Sequence, residues 1–502
     1  MATVFGGVLT IAISAAAVGL VLLFSIVLPA LYNVFLHPLR KIPGPPSWII
    51  FPLLRHWAAI TGTLDEQSRR FHEKYGDVVR THPNELSFTT TAAWKDIYGP
   101  LANLPKVMVY DEEARNVFNA EHPEVHGRMR RVLNPIFSER GARSLEPTVK
   151  LYADKLFDSL ANFAREGRFV DLSMYWNMTT FDIIGRLAFG EDFDGLKNQR
   201  IHPWVKNIFD TFKILPLIIA ISEYPFLMWL LKSCMPRSVA ESREKHVAQS
   251  HDKARRRMQN ESLKDNGDFM DTMLQARGTK DEFSEGEIMA NANILIIAGS
   301  ETSATALSGL VYWLMRTPKV LQEVTEEVRQ AFEREDQITM ASTAQQVPYM
   351  LACIQEGLRI YPPGAGSIQR FVPRTESRTV DGVVIPGGTR LGVHHSAAYT
   401  SARHFHRPKE FIPERWLPAA STPDSPYYSD NRAMVQPFSV GPRNCIGQTF
   451  ARNEMRYLLA RLLFRFDLVQ LAPECREWHQ QRSFVIWEKG PLRVLLRERE
   501  WQ

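Results

Sequence analysis

The sequence predicts a mainly α-helical protein with small β-sheets and an N-terminal transmembrane helix. Three observations predict this: an uncharged apolar N-terminus, a proline-rich stretch directly after it, and a long remainder in which helical patterns dominate and strands are short and few. No Lys, Arg, Asp or Glu occurs from Met1 to Leu39. Within that span, VLTIAISAAAVGLVLLFSIVLPALY (Val8 to Tyr32) exceeds the roughly 20 apolar residues that carry a helix across a bilayer. A cleaved signal peptide wants a basic n-region and only about 7–15 apolar residues, which this segment does not match. Arg40 and Lys41 follow the span, and the positive-inside rule then puts the rest of the chain in the cytosol. On that side the sequons at Asn177 and Asn260 are chance matches.

Residues 1–36 are thus an anchor. Residues 37–48 (HPLRKIPGPPSW) are expected to be a stiff, extended hinge, because clustered prolines cannot continue a helix. Residues 49–502 read as one domain, without repeats or low-complexity tracts. A net charge of +5 with no basic block argues against a nucleic-acid partner and leaves room for a basic surface patch facing an acidic one. The four cysteines, Cys234, Cys353, Cys445 and Cys475, show no CxxC spacing and suit a reducing compartment.

One helix can be delimited from sequence. FSEGEI (Phe283 to Ile288) is a capping box, with Ser284 as cap, Glu287 reaching back, and Phe283 with Ile288 as staple. Apolar residues run on to Arg316, and Thr317-Pro318 stops this helix and starts the next. About 30 residues make roughly 45–50 Å of helix, too apolar to lie at a surface, so it is expected to cross the domain centre. AGSET (Ala298 to Thr302) interrupts it with small and polar residues. The strand candidates are Arg378 to Val393, with its Asp-Gly turn, and SFVIW paired with LRVLL around Lys489 to Pro491.

The chemistry concentrates in FSVGPRNCIGQ. Cys445 lies at or just before a helix N-terminus, where free N–H groups and the dipole stabilise a thiolate, the form that binds metals. Gly441 and Gly447 remove side chains that would obstruct a flat partner. Arg443 can pair with carboxylates on that partner. These features suggest a haem with Cys445 as axial iron ligand.

FSVGPRNCIG fits every fixed position of the F-x-x-G-x-R-x-C-x-G haem signature, Phe438 to Gly447, of the cytochrome P-450 superfamily, and the chain resembles that family from anchor to C-terminus. EGLR supplies Glu356 and Arg359, and FIPERW supplies Arg415, which by resemblance completes a structural triad. AGSET resembles the oxygen-activation motif, with Glu301 and Thr302 in the acid and alcohol positions. In HGRMRRVLNPIFS, His126 stands where the family commonly has Trp, and Arg130 takes a propionate-binding position. Arg370 aligns with another propionate-binding arginine.

The resemblance implies the cytochrome P-450 fold, haem b as cofactor, and monooxygenase chemistry with O2, since a thiolate ligand favours O–O cleavage. No flavin domain or Rossmann fingerprint is present, so electrons are expected from an NADPH-dependent flavoprotein reductase, with cytochrome b5 as an optional partner. Arg128 and Arg131 are candidates to face the reductase. The implied location is the endoplasmic reticulum membrane, single-pass, with a cytosolic catalytic domain. FIPERWL and VIWEKGPLRV are similar to filamentous-fungal members that tailor terpenoids, polyketides or alkaloids. A lipophilic small-molecule substrate fits the apolar segments that by resemblance line the pocket: the loop before His126, Ile208 to Leu231, Ile294 to Ala298, Gly364 to Ile368 and Ser483 to Val485. Of these, Ile214 to Leu231 is apolar enough to touch the bilayer. An O2-independent isomerase or dehydratase and a non-catalytic membrane haem protein stay open as alternatives. HPEVH (His122 to His126) is not a zinc motif. His394 and His395 are expected to point to opposite faces of a strand, and Glu241 to Asp265 reads as a solvated helix face.

Overall fold

In chain order the longer helices are α1 (Leu53–Ile60), α2 (Leu64–Tyr75), α3 (Thr91–Tyr98), α4 (Pro123–Phe137), α5 (Glu146–Arg165), α6 (Leu172–Phe189), α7 (Pro203–Ser222), α8 (Glu285–Arg316), α9 (Pro318–Ala331), α10 (Pro348–Ile360) and α11 (Gln448–Arg465). The computed structural model describes residues 23–102, 104–107, 115–224 and 267–500, with Trp229, Ser233 and Arg257. Most of the expected anchor, the stretch 241–265 apart from Arg257, and the apolar run beyond 224 apart from Trp229 lie outside the described residues. Arg257 itself is buried and paired with Asp268 and Asp271, at 3.0 and 2.7 Å.

The central helix follows its sequence. Ser284 Oγ accepts the Glu287 N–H at 3.1 Å, and a Glu287 carboxylate oxygen accepts the Ser284 N–H at 3.0 Å. The 32 residues of α8 end at Thr317, and Pro318 opens α9. Of its most apolar stretch, 72 % is buried inside the protein, which marks a core helix. Its neighbour is α6, started by the Asp171 side chain and ended by left-handed Gly190 (φ 67°). The small residues of AGSET serve this contact: a Cβ on Gly299 would come within 2.8 Å of Ile184 Cδ1, and Thr180 Oγ1 donates to Ser300 O at 2.8 Å.

Strands β1 (Val78–His82) and β2 (Glu85–Phe88) pair antiparallel, and β3 (Phe169–Asp171) stands apart from them. Strands β4 (Arg370–Phe371), β5 (Ser377–Val380), β6 (Val383–Pro386) and β7 (Arg390–Val393) follow α10. The main sheet has the order β1-β2-β7-β4, with β2 and β7 parallel. Positive φ at Asp381 (49°) and Gly382 (74°) closes the β5–β6 hairpin at the expected Asp-Gly turn. At the C-terminus the expected pairing is wrong. β9 (Ser483–Phe484) folds back on β10 (Ile486–Trp487) around Val485, while β11 (Arg493–Glu498) joins β3 and β8 (Phe466–Leu471). Both segments are strand-forming, and partner choice is decided by what else packs nearby.

Two further expectations change. His394 does not continue a strand: it caps a short helix, His395–Tyr399, and both histidines are buried. Residues 37–48 are not an extended spacer, because Pro38–Lys41 and Pro46–Ile50 form short helices, proline at N1 being compatible with helix starts. That segment docks on the sheet: Leu39 and Trp48 are buried, and Arg80 N–H donates to Pro43 O at 2.8 Å. A large helical core surrounds α6, α8 and α11, and a smaller one lies under the main sheet.

Candidate active site

The loop before α11 is closed by the Cys445 N–H donating to Phe438 O at 2.8 Å. Gly441 is required for a reason the sequence did not reveal: its φ is +77°, and a Cβ there would lie 2.0 Å from Tyr98 O. Gly447 is the cap residue of α11, and a Cβ on it would meet nothing nearer than 3.8 Å. Phe438 carries the Arg452 guanidinium 5.0 Å above its ring. Cys445 is exposed by surface area yet sits so deep that burial is the main influence on its thiol, as befits a side chain facing an internal cleft. Burial pushes the thiol up, and the Gly447 N–H, Arg130 and Lys106 pull it back only in part. The helix terminus alone therefore does not create a thiolate here, whereas a coordinated metal deprotonates a thiol outright.

Four cationic side chains converge on this sulfur's surroundings. Arg130 of α4 donates to Asn444 O and Oδ1 at 2.9 and 3.0 Å. Arg443 donates to Ala120 O and Glu121 O at 2.7 and 2.8 Å. Buried Arg370 lies 5.0 Å over the Tyr98 ring and bridges through its backbone to Lys106, whose ammonium donates to Phe118 O at 2.8 Å. His126 is held down to about 3 by burial and then by Arg443, Arg130, Lys106 and Arg370, so it is neutral. Burial and the three arginines also hold Lys106 well below its ordinary value, against the pull of Cys445. Every expected cofactor residue except Phe438 and Gly447 is thus drawn into one electrostatic cluster, and those two shape the thiol loop. Lys106 was missed, since nothing in its neighbourhood marks a lone lysine. Arg128 and Arg131 pair with Glu287 (2.5 Å) and Asp281 (2.8 Å), so neither is an uncompensated charge for a partner.

On α8 the acid and the alcohol part ways. Thr302 Oγ1 donates to Ala298 O, one turn back, at 2.6 Å. Glu301 is buried and paired with Lys489, a residue the sequence reading passed over as part of a turn. Thr305 Oγ1 donates to Glu301 at 3.0 Å, and the Lys489 ammonium also reaches Thr305 (2.7 Å) and Asn177 (3.4 Å). Burial raises Glu301 and lowers Lys489, each opposed by the other's charge, so their proton affinities are drawn together. Lys489 and Asn177 line a cavity of about 310 Å³. Phe209, Phe212 and Phe484 line it too, from two of the segments expected around substrate, but none of Ile294 to Ala298 or Gly364 to Ile368 does.

Beneath the sheet, Glu356 accepts from Arg359 at 2.7 and 2.8 Å and from Arg415 Nε at 3.1 Å, with the Ile412 N–H and Trp416 Nε1 completing its shell. Burial, the largest influence, would raise Glu356, yet Arg359 and Arg415 hold it below the usual carboxylate range. Arg359 donates further to Tyr399 O, Pro408 O and Glu410 O, and Arg415 pairs with Asp430. All three triad residues are fully buried, so the triad ties α10 to the segment leading to the cysteine loop.

A bare thiol among four cations, with room beside Gly447, fits a flat group carrying a thiophilic metal and two carboxylates. Fold and site together define a haem-thiolate protein. A family model described as cytochrome P-450 matches residues 42–495. The chain is 46 % identical over 481 residues to a trichothecene C-4 hydroxylase of Trichoderma arundinaceum, covering 95 % of this chain and 96 % of the relative. It is 44 % identical over 482 residues to a cytochrome P-450 monooxygenase of Penicillium canescens, covering 96 % and 98 %. An averantin hydroxylase of Dothistroma septosporum is 37 % identical over 491 residues, covering 96 % and 91 %. The chain belongs to the cytochrome P-450 family, as an oxidoreductase of the monooxygenase type.

Proposed function

We propose that this protein is a membrane-anchored monooxygenase that oxidises a lipophilic small molecule in fungal secondary metabolism, using O2 and electrons passed from NADPH by a flavoprotein reductase, with cytochrome b5 as an optional partner. The observation that carries this reading is the uncovered Cys445 thiol among Lys106, Arg130, Arg370 and Arg443. Haem b bound there supplies O2 activation, which a thiolate ligand favours. Cys445 would hold the iron, and Lys106, Arg130, Arg370 and Arg443 would balance the charge of the propionates. Glu301 and Lys489 exchange a proton between Oε1 and Nζ, at the wall of the cavity that Lys489 lines. Thr302 releases its bond to Ala298 O to orient a proton-carrying water.

The endoplasmic reticulum membrane is the proposed location, with residues 1–36 as anchor and 49–502 as the cytosolic catalytic domain. Exposed Leu53, Leu54 and Trp57 on α1, beside exposed Ile214 and Leu217 on α7, form an apolar face suited to a bilayer and to a substrate arriving from it. The hydroxylase names of the fungal relatives support oxidation of a secondary metabolite.

The test is the CO difference spectrum of dithionite-reduced microsomes. Wild type is expected to show the red-shifted Soret band of thiolate ligation and Cys445→Ala to lose it. Bound haem without that band in wild type overturns the reading. Product formation is then expected to require both NADPH and O2.

A further inference from the structure

Away from the thiol loop, three potential metal ligands meet. His56 of α1, His82 at the end of β1 and Glu223 just past α7 bring one ligand atom each to within 4.8 Å of one another. They come from three separate elements, so the tertiary fold, and no local pattern, assembles them. We infer that these side chains form a site for a divalent transition metal, zinc foremost, which clips the end of α7 to α1 and β1.

The geometry at His56 carries the inference. This residue is only 3 % exposed, and its Nε2 makes no hydrogen bond although Glu223 Oε2 lies 3.3 Å away. Nitrogen and oxygen face one space without the alignment of a donor on an acceptor. Two ligand atoms on a tetrahedral zinc, each bound at about 2.0–2.1 Å, sit about 3.3 Å apart. The two imidazole ring centroids stand 5.7 Å apart at an interplanar angle of 66°.

The neighbouring charges permit it. Arg390 pairs with Glu223 Oε1, which leaves Oε2 to the metal. Arg55 pairs with Glu85 beside His82, so these two carboxylates and two guanidiniums balance. The Tyr224 ring edge packs on His56 at 6.3 Å and fixes its plane. Two imidazoles, one carboxylate and a water make a zinc-compatible set.

The experiment uses untagged full-length holoprotein, stripped of loose metal with a chelator. Zn2+ is titrated in competition with a chromophoric chelator, and Co2+ is added separately to read its tetrahedral absorption. One metal per chain at micromolar Kd is expected, with His56→Ala and Glu223→Gln each weakening it at least about 100-fold while the CO difference spectrum stays unchanged. Absence of binding below about 100 μM, or binding that both variants retain, overturns the site. If the variants alter only the pH dependence of stability and no metal binds, the cluster is a histidine–carboxylate ion pair and the inference falls.

Discussion

Lys489 reaches Glu301 from the connection between β10 and β11, 188 residues away along the chain, and the pair is almost fully enclosed. Removing one partner of such a pair strands the other, at about 3–5 kcal/mol. Lys489→Met is therefore expected to lower stability and also to slow the proposed proton transfer. The double variant Lys489→Met, Glu301→Gln separates the effects: its melting temperature recovers, while turnover stays down by roughly 10²-fold or more. NADPH consumption then yields peroxide in place of product. Recovery of turnover along with stability would leave the pair a purely structural role. Neither residue type could have revealed this contact in advance. AGSET marks Glu301, but a lysine before Gly-Pro is an ordinary surface residue until the fold turns the connection between β10 and β11 inward.

At the scale of elements, α8 owes its boundaries to local chemistry and its middle to its neighbours. The capping box and Thr317-Pro318 were legible because each acts within a single turn of chain. The use made of its small residues was not. Gly309 faces Tyr361, the residue that ends α10, and a Cβ there would lie 2.2 Å from the Tyr361 ring. Gly309→Ala is expected to destabilise the protein by about 1–2 kcal/mol, because overpacking against a rigid ring outweighs the gain in helix propensity. Equilibrium denaturation checks the sign, and an unchanged midpoint would mean the ring moves freely. The same reasoning explains the C-terminal strands. Their β-branched residues announced strands, whereas β11 found β3 and β8 only because α5 and α6 bring β3 beside it.

At the scale of the molecule, α11 packs into the core with Glu454 fully buried, and burial pushes this carboxyl up to about 8, with Ser303 of α8 pulling the other way. From its ordinary value of 4.5 up to about 8, the unfolded chain has released this proton while the native state keeps it. Glu454 therefore makes stability fall as pH rises across that window. Glu454→Gln is expected to flatten that slope, read as melting temperature against pH from 5 to 8. An unchanged slope would mean that Glu454 is ionised in the native state.

The sequence by itself determined the helical class, the ends of α8, the cysteine loop, the Glu-Arg-Arg triad and the family they point to, because each of these is written in short-range chemistry or in a motif. Only the tertiary structure decided that Lys106 joins three arginines near Cys445, that Lys489 holds Glu301, that residues 37–48 dock on the sheet, and that His56, His82 and Glu223 meet. Those contacts join segments far apart in the chain, and the energies that select them, burial and charge pairing across elements, exist only once the fold has brought the segments together.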